Sequence, residues 1–320
     1  MAEFHIQHIT RYSYPSTVID CTNQIILYPV NDALQEVKNH EIRITNDPEV
    51  EIFTDYFGNR IGVFSIIQPH NTLTIESDFD AITHPLVFPA DNQPVSDQWE
   101  ELARSVETVP YMDFLQTDVF PGFENMKEIL HQIVNKDKGP LTNALVLSEY
   151  VFDHFEYKKG VTNVETKVEE ILKLKAGVCQ DFAHVLLVML HMMGIPARYV
   201  SGYICPKNHE LRGEGATHAW VEAYIPYFGW LGLDPTNNCI VNDRHIRLAV
   251  GRSFTDCTPV KGTYKGSSEH TLEVSVSIDN GHIRTPEEKA AVASFSYTTK
   301  NPGISNNSYR RYLEMQQQQQ

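Results

Sequence analysis

Cys179, His218 and Asp234 are three residues whose types, in this order along the chain, could carry out nucleophilic chemistry. A cysteine thiolate attacks a carbonyl carbon, and an imidazole accepts and returns the proton that the reaction moves. A carboxylate behind the imidazole fixes its tautomer and stabilises its protonated form. These residue types therefore indicate acyl chemistry on an amide bond, with Cys179 as nucleophile, His218 as base and Asp234 as its orienting partner.

Cys179 lies at the predicted start of the clearest helix in the chain. Gly177 precedes it, an apolar run follows to Met193, Gly194 has the position of a helix-ending glycine, and Pro196 blocks continuation. Unpaired N–H groups and the helix dipole favour an anion at such a start, so a thiolate forms easily there. The backbone N–H of Cys179 is also a candidate oxyanion donor. A small buried cysteine without chemistry is the alternative interpretation.

His218 and Asp234 lie on strand-like segments that follow this helix. His218 begins a strand, where a side chain at the end of the sheet can face the helix start. Asp234 ends the next strand and can accept the second imidazole N–H. A surface histidine and a turn-initiating Asp-Pro are the alternatives. Whether both side chains share one face depends on the strand register, which stays open at this point.

Helices and an antiparallel sheet must position these residues. Apolar residues recur at helical spacing over residues 95–106 and in two helices within residues 123–157. After the cysteine helix, strand-like runs cover residues 197–204, 219–225 and 230–234. Helices followed by an antiparallel sheet predict an α+β fold.

The amino-terminal part of the chain has a different character. Short β-branched and aromatic runs alternate there with turn residues, which predicts an antiparallel β module over residues 1–90. Residues 53–64 predict a hairpin with Gly58-Asn59 at its tip. A polar stretch with two prolines, between Phe88 and Pro94, marks the module boundary.

The remaining boundaries follow from changes in composition. A catalytic core is expected over residues 95–262 and a carboxy-terminal strand region over residues 263–299, in which residues 271–278 alternate as a strand that can join either sheet. Residues 300–320, which end in five glutamines, contain too little apolar material to order themselves. We expect them to form a disordered polar tail.

Composition excludes several classes of partner. The formal net charge is −15, so no broad basic field is expected to bind nucleic acid or anionic lipid. No apolar run approaches the roughly 20 residues that span a bilayer, and the first residues lack a signal-peptide core. The sequence thus predicts no nucleic-acid partner and no membrane partner, and a protein or peptide amide as the substrate. It does not indicate an oligomeric state.

The five cysteines are odd in number and widely spaced, which fits reduced thiols and a cytoplasmic location. A metal site built from Cys179, His184, His218 or Cys239 is disfavoured because no compact ligand pair occurs among them. We therefore expect neither a metal nor another cofactor.

Four sequence blocks, in order, resemble the transglutaminase-like superfamily, and particularly its bacterial members with a β-rich amino-terminal region. The resemblance continues through residues 242–246, 250–256 and 259–262 and covers almost the whole chain before the tail. The blocks are GVCQDFAH at 177–184, GIPARYVSGY at 194–203, HAWVE at 218–222 and LDPT at 233–236. The resemblance implies a papain-like core in which the cysteine helix packs on an antiparallel sheet that supplies histidine and aspartate.

The resemblance also implies supporting residues. Tyr157 falls in a family block and can reach the oxyanion region, although a core aromatic is an equal alternative. Gln180 is a further supporting candidate beside the cysteine. Asp181 matches the family acid two residues after the cysteine, where a carboxylate caps backbone N–H groups. His245 and Arg252 belong to the carboxy-terminal block and are expected to support the site without being catalytic.

The chemistry leaves three functions open. Water as the acceptor gives a peptidase or amidase, which we favour because water needs no dedicated acceptor site. A bound amine gives transglutaminase-type acyl transfer, which requires exclusion of water from the acyl-enzyme. A non-catalytic module that binds peptide or glycan is the third possibility.

Overall fold

The computed structural model describes residues 1–88, 92–117, 119–163, 166–205, 212, 217–266, 270–279 and, for the backbone, 294–298. The predicted tail and part of the predicted boundary stretch, residues 89–91, lie outside these residues. Within them, no helix is long and apolar enough to span a bilayer.

Fifteen described strands form three sheets. The strands are β1 (Ala2–Tyr28), β2 (Gln35–Ile44), β3 (Glu51–Thr54), β4 (Arg60–Ile66), β5 (His70–Thr83), β6 (Glu156–Tyr157), β7 (Ala176–Gly177), β8 (Ala197–Ile204), β9 (Thr217–Ile225), β10 (Gly229–Asp234), β11 (Cys239–Ile240), β12 (His245–Gly251), β13 (Val260–Lys265), β14 (Thr271–Asp279) and β15 (Ser294–Thr298).

Five α-helices and two 3-10 segments complete the described structure. The helices are α1 (Val95–Ser105), α2 (Phe123–Ile133), α3 (Pro140–His154), α4 (Val168–Leu174) and α5 (Cys179–Met192), and the 3-10 segments are Tyr111–Leu115 and Phe254–Cys257. Helices α1, α2, α3 and α5 confirm the predicted ones, whereas α4, seven residues long, was not predicted. A helix of two turns is too short to establish an apolar period.

The first sheet has eight strands arranged around β1. The expectation of short strands was wrong here, because β1 is a continuous strand of 27 residues. It exchanges partners midway. Residues up to Ser13 pair with β5 and β14, and those from Val18 onward pair chiefly with β4 and β13. Pro15 therefore lies at a change of partners within the strand instead of ending it.

Two local predictions in this sheet are confirmed. Strands β3 and β4 form the predicted hairpin, in which Gly58 has a φ of +87° that suits glycine. The alternating segment 271–278 forms β14, which pairs with β1 and so joins the amino-terminal sheet. Strand β13 pairs with β1 as well. The chain thus returns to its first sheet after it has built the core.

The core is an antiparallel sheet of five strands, in the order β11-β10-β9-β8-β12, with helix α5 packed against it. Ten of the residues of α5 are buried, including Phe182, Val185 and Leu186, because the helix lies between the sheet and helices α2, α3 and α4. The predicted α+β class is confirmed. This architecture places the amino-terminal end of α5 beside the first residues of strand β9.

Candidate active site

Helix α5 begins at Cys179 because of a local hydrogen-bond arrangement. Val178 has an extended backbone, and its N–H donates to the carboxylate of Asp181 at 2.8 Å. The hydroxyl of Thr162 donates to the same oxygen at 2.6 Å. A Cβ on Gly177 would lie only 2.4 Å from that carboxylate, so space requires a glycine at this position. The carboxylate of Asp181 thus caps the start of the helix.

Asp181 is therefore part of the framework beneath Cys179. Burial raises the pKa of its carboxyl to about 6, although the hydrogen bonds from Thr162 and Val178 act in the opposite direction. Helix α5 ends as predicted, since Gly194 has a φ of +77° and the N–H of Ile195 donates to the carbonyl of Leu190 at 3.0 Å.

The register of β9 and β10 answers the question that the sequence left open. Leu233 lies opposite Val221, so the next residue, Asp234, follows opposite Trp220. His218 lies two residues from Trp220 and therefore shares its face of the sheet. His218 Nε2 lies 2.8 Å from Asp234 Oδ2, and both side chains are completely buried. A carboxylate can only accept here, so Nε2 carries the proton.

Several further groups hold the carboxylate of Asp234. Its Oδ1 accepts the backbone N–H of Thr236 at 2.9 Å, and its Oδ2 accepts the side-chain amide of Asn237 at 2.8 Å. His245 Nε2 lies 3.3 Å from Oδ2. Burial alone would raise the pKa of this carboxyl, but the charge and hydrogen bond of His218 and the hydrogen bond of His245 hold it well below its usual range. Asp234 is an anion throughout the physiological range.

The second ring nitrogen of His218, Nδ1, is the one left for Cys179, because Nε2 contacts Asp234. It is buried and forms no regular hydrogen bond with any described residue, but the Cys179 thiol lies close enough to interact with the imidazole. Burial by itself would lower the pKa of His218, whereas the charges of Asp234 and Cys179 raise it to about 10. The arrangement therefore favours a protonated imidazole beside Asp234 and Cys179. A cationic imidazole next to a thiol is the environment that activates a thiol nucleophile.

Tyr157 and Gln180 also lie at this end of α5. Strand β6 pairs with β7 so that Tyr157 lies opposite Gly177, two residues before the cysteine. Burial and the charge of Cys179 raise the pKa of Tyr157 well above its usual value, so its hydroxyl stays protonated. That hydroxyl and Gln180 Oε1 are buried, and neither has a hydrogen-bond partner among the described residues. Each of these two atoms therefore has a hydrogen-bonding capacity that the described residues do not use.

The other histidine and arginine candidates differ in their relation to the site. His184 is buried beside Tyr199 of the sheet and accepts the N–H of Phe254 at 3.3 Å, so it does not face solvent. Arg252 is exposed and pairs with Asp256 at 3.0 Å. Its guanidinium also lies 5.5 Å from the centre of the Phe57 ring, and its expected supporting role stays a prediction. His245, in contrast, does contact Asp234.

One group of potential metal ligands occurs among the described residues, and it consists of His218, Asp234 and His245, whose ligand atoms lie within 4.8 Å of one another. Two imidazoles and a carboxylate are a possible ligand set. Here the Nε2 atoms of both histidines lie at hydrogen-bond distance from one oxygen of Asp234. Hydrogen bonds therefore explain why the three side chains lie together. Cys239 and His184, considered as ligands from the sequence, are not members of it.

Comparisons with known proteins agree with this geometry. Residues 127–235 match the transglutaminase-like superfamily, and residues 4–81 match the bacterial transglutaminase-like N-terminal region. An uncharacterized protein of Mycobacterium leprae is 30% identical over 281 residues, which cover 87% of this chain and 99% of that protein. The chain belongs to the transglutaminase-like superfamily. The resemblance seen in the sequence is thus confirmed.

Two further relatives of this transglutaminase-like chain carry functional names. A crystal structure of a proposed cysteine protease from Cytophaga hutchinsonii aligns with a TM-score of 0.66 and 20% identity, covering 89% of this chain and 92% of that one. That likeness shows the shared fold. A protein-glutamine gamma-glutamyltransferase of Pseudomonas aeruginosa is 33% identical over 100 residues, which are 29% of this chain and 15% of that protein.

Three residues that complete the transglutaminase-like site were not predicted. Asn237 donates to Asp234, and its side-chain oxygen accepts the backbone N–H of Arg212 at 2.8 Å. The guanidinium of Arg212 lies 5.8 Å from the centre of the Tyr157 ring. Thr162 holds Asp181. Asn237 follows the LDPT block, which is the one sequence signal that could have indicated any of them.

Proposed function

We propose that this protein is a cysteine-dependent amidase or peptidase that forms a thioester on Cys179 and hydrolyses it. One observation carries the proposal. The buried imidazole of His218 donates through Nε2 to Asp234, interacts with Cys179 at the start of helix α5, and keeps Nδ1 free of other partners among the described residues. This is the order of contacts that a nucleophile, a base and an orienting carboxylate require.

In the first half-reaction, the thiolate of Cys179 attacks the carbonyl carbon of the amide. A C–S bond forms, and the carbonyl oxygen becomes an oxyanion near the first N–H groups of α5, which lack partners within the helix. We assign the N–H of Cys179 and the hydroxyl of Tyr157 as its donors. The C–N bond then breaks as the imidazolium of His218 gives its proton to the leaving amine.

In the second half-reaction, His218 removes a proton from water, which attacks the thioester and releases a carboxylic acid and free Cys179. An amine in place of water gives acyl transfer and a new amide. The Pseudomonas aeruginosa relative is named for such a transfer, and the Cytophaga hutchinsonii neighbour for proteolysis. Hydrolysis remains our preferred assignment because it needs no second binding site.

The substrate we propose is a peptide or protein amide. The five cysteines are free thiols, which supports a reducing compartment, and we therefore propose the cytoplasm.

The test is an acceptor experiment. The protein is incubated with glutamine-containing peptides, with and without a primary amine, and the products are identified by mass. Cleaved or deamidated peptide in both samples supports hydrolysis, and an amine conjugate supports transfer. The Cys179→Ala protein is the control. No product at all, together with a thiol probe that labels Cys179 no faster than Cys205, would indicate a binding module.

A further inference from the structure

His245 is an imidazole that the proposed reaction does not use, although it touches the reacting group of residues. Its Nδ1 lies 3.3 Å from the backbone nitrogen of Asn242, and its Nε2 lies 3.3 Å from Asp234 Oδ2. A backbone N–H can only donate, so Nδ1 is the acceptor and Nε2 carries the proton. Burial lowers the pKa of His245, against the effect of Asp234. His245 is thus a neutral donor to the carboxylate that orients His218.

The backbone on both sides of His245 is held by the amino-terminal β module. Thr83 Oγ1, on β5, donates to the carbonyl of Asp243 at 2.6 Å. Gln35, on β2, accepts the N–H of Arg247 at 2.7 Å and donates to the carbonyl of the same residue at 2.9 Å. Gln35 and Thr83 are each only 2% exposed. Positions two residues before and two residues after His245 are therefore fixed by side chains of the first sheet.

A small cavity lies beside His245 on the side of the module. Its volume is about 60 Å³, and Gln35, Thr83, Asn242 and His245 are among the residues that line it. A space of this size has room for one or two waters. On the other side, the ring of Trp220 stands edge-on with its centre 5.2 Å away. The hydrogen bonds to residues 243 and 247 are therefore the direct links between the module and the backbone that carries the ring.

We propose that His245 is a positioning residue that holds the carboxylate of Asp234 toward His218, and that the amino-terminal β module keeps His245 in place through Gln35 and Thr83. The proposal rests on the function proposed above. The β module would then contribute to the reaction, because it supports the carboxylate of Asp234 through the imidazole of His245.

The first test compares His245→Phe with His245→Gln. Phenylalanine keeps a ring beside Trp220 but cannot donate, whereas glutamine can place an amide N–H near the position of Nε2. We expect His245→Phe to lower kcat by about 10- to 100-fold, as small displacements of catalytic groups do. The pH range over which Cys179 and His218 exist as a thiolate–imidazolium pair should narrow from both sides. His245→Gln should restore most of both.

The rate at which the anion iodoacetate alkylates Cys179, measured against pH, is decisive and needs no substrate. It rises as the thiolate forms and falls when His218 loses the positive charge that attracts the reagent. A narrowed range in His245→Phe together with rescue in His245→Gln supports positioning. An unchanged range overturns the proposal, whatever the loss of Tm. So does an upward shift of the alkaline limit, since that would mean His245 merely competes with His218 for one oxygen. If the wild type shows the range but turns over no amide, the proposed function fails and the positioning role stands.

The second test addresses the module. Gln35→Leu should narrow the pH range of the thiolate–imidazolium pair, as His245→Phe does, but by a smaller amount. The double variant should have the same pH range as His245→Phe alone, because both changes act through His245. Gln7→Leu is the control, since Gln7 belongs to the same module but its side chain bonds Glu76 at 2.7 Å instead of the backbone around His245. If the double variant narrows the pH range by the sum of the two single effects, or if Gln35→Leu and Gln7→Leu have equal effects, the module does not act through His245.

Discussion

His8 in the first sheet and His218 in the second are both buried, yet their acid–base properties are opposite. His8 has only neutral partners, the hydroxyl of Tyr203 at 2.8 Å and that of Thr10 at 3.3 Å. Burial lowers its pKa to about 4. His218 undergoes the same burial, but Asp234 and Cys179 raise its pKa to about 10. Charged neighbours, and not exclusion of water, therefore make the core histidine a cation.

The comparison also separates the tasks of the two sheets. The first sheet encloses a histidine that stays neutral at physiological pH and serves packing and hydrogen bonding. The second encloses a thiol, an imidazole and a carboxylate in a row, in which the imidazole is held as a cation by its neighbours. Removing one member should therefore change the others, and four experiments use this dependence.

The largest effect is expected from Cys179→Ala. This change removes the nucleophile and little packing volume, so turnover should fall by about 10⁶-fold while the fold remains. The measurements are amide turnover and a thermal melt. Because the thiol is one of the two charges that favour the cationic imidazole, the pKa of His218 should fall as well, toward the behaviour of His8. Turnover at the wild-type rate would exclude the thioester mechanism.

The second effect is expected from Asp234→Asn, which gives His218 neutral surroundings like those of His8. The amide keeps the shape but loses the charge and also favours the wrong tautomer. The turnover number should fall by about 10⁴-fold, as for the equivalent change in a serine protease triad. The pKa of His218, followed by NMR of the imidazole, should fall below that of the wild type. A pKa that does not move would mean that Asp234 is not the source of the stabilisation.

The third effect concerns Cys179 itself. An ordinary thiol with a pKa of about 8.5 is only about 0.3% ionised at pH 6, so a preformed thiolate–imidazolium pair should react about 300-fold faster there. The pair is lost when the imidazolium deprotonates, so the alkylation rate should stay level until the pH approaches the His218 pKa of about 10. His218→Ala is the control. A single rise near the ordinary thiol pKa in both proteins would show that His218 does not activate Cys179.

The sequence predicts the reactive end of the core well because local rules act there. Gly177, Gly194 and Pro196 define the ends of helix α5 without reference to other parts of the chain. The hairpin of β3 and β4 follows in the same way from Gly58-Asn59.

Features that depend on distant contacts were not predictable. The change of partners within β1 requires β13 and β14, which lie more than 200 residues further along. The contact of His245 with Asp234 depends on the pairing of β12 with β8. It also depends on the hydrogen bond between Gln35 and Arg247, which lie 212 residues apart in the chain. Period and turn chemistry carry no information about such pairs.

The smallest expected effect is on the free energy of unfolding, and it is caused by the protonation of His8. Its pKa is about 4 in the folded protein and near 6.5 in the unfolded chain. Below pH 6.5, His8 therefore binds a proton in the unfolded chain but stays neutral in the folded protein. The free energy of unfolding consequently falls as the pH falls from about 6.5 to about 4. The full contribution of this one residue is about 3 kcal/mol.

His8→Gln should remove that part of the acid sensitivity, because the amide has no proton to gain and can still bond Tyr203. Urea unfolding at pH 7 and pH 4.5 measures it. His184, buried with a pKa of about 4, keeps some slope in both proteins. His218→Gln is the opposite case. Its raised pKa contributes stability that is present below about pH 6.5 and lost as the pH rises toward about 10, so this variant should lose stability chiefly at neutral and lower pH and approach the wild type in alkali. Equal slopes for His8→Gln and the wild type between pH 7 and 4.5 would mean that His8 is protonated in the folded protein, and the contrast between the two sheets would then not hold.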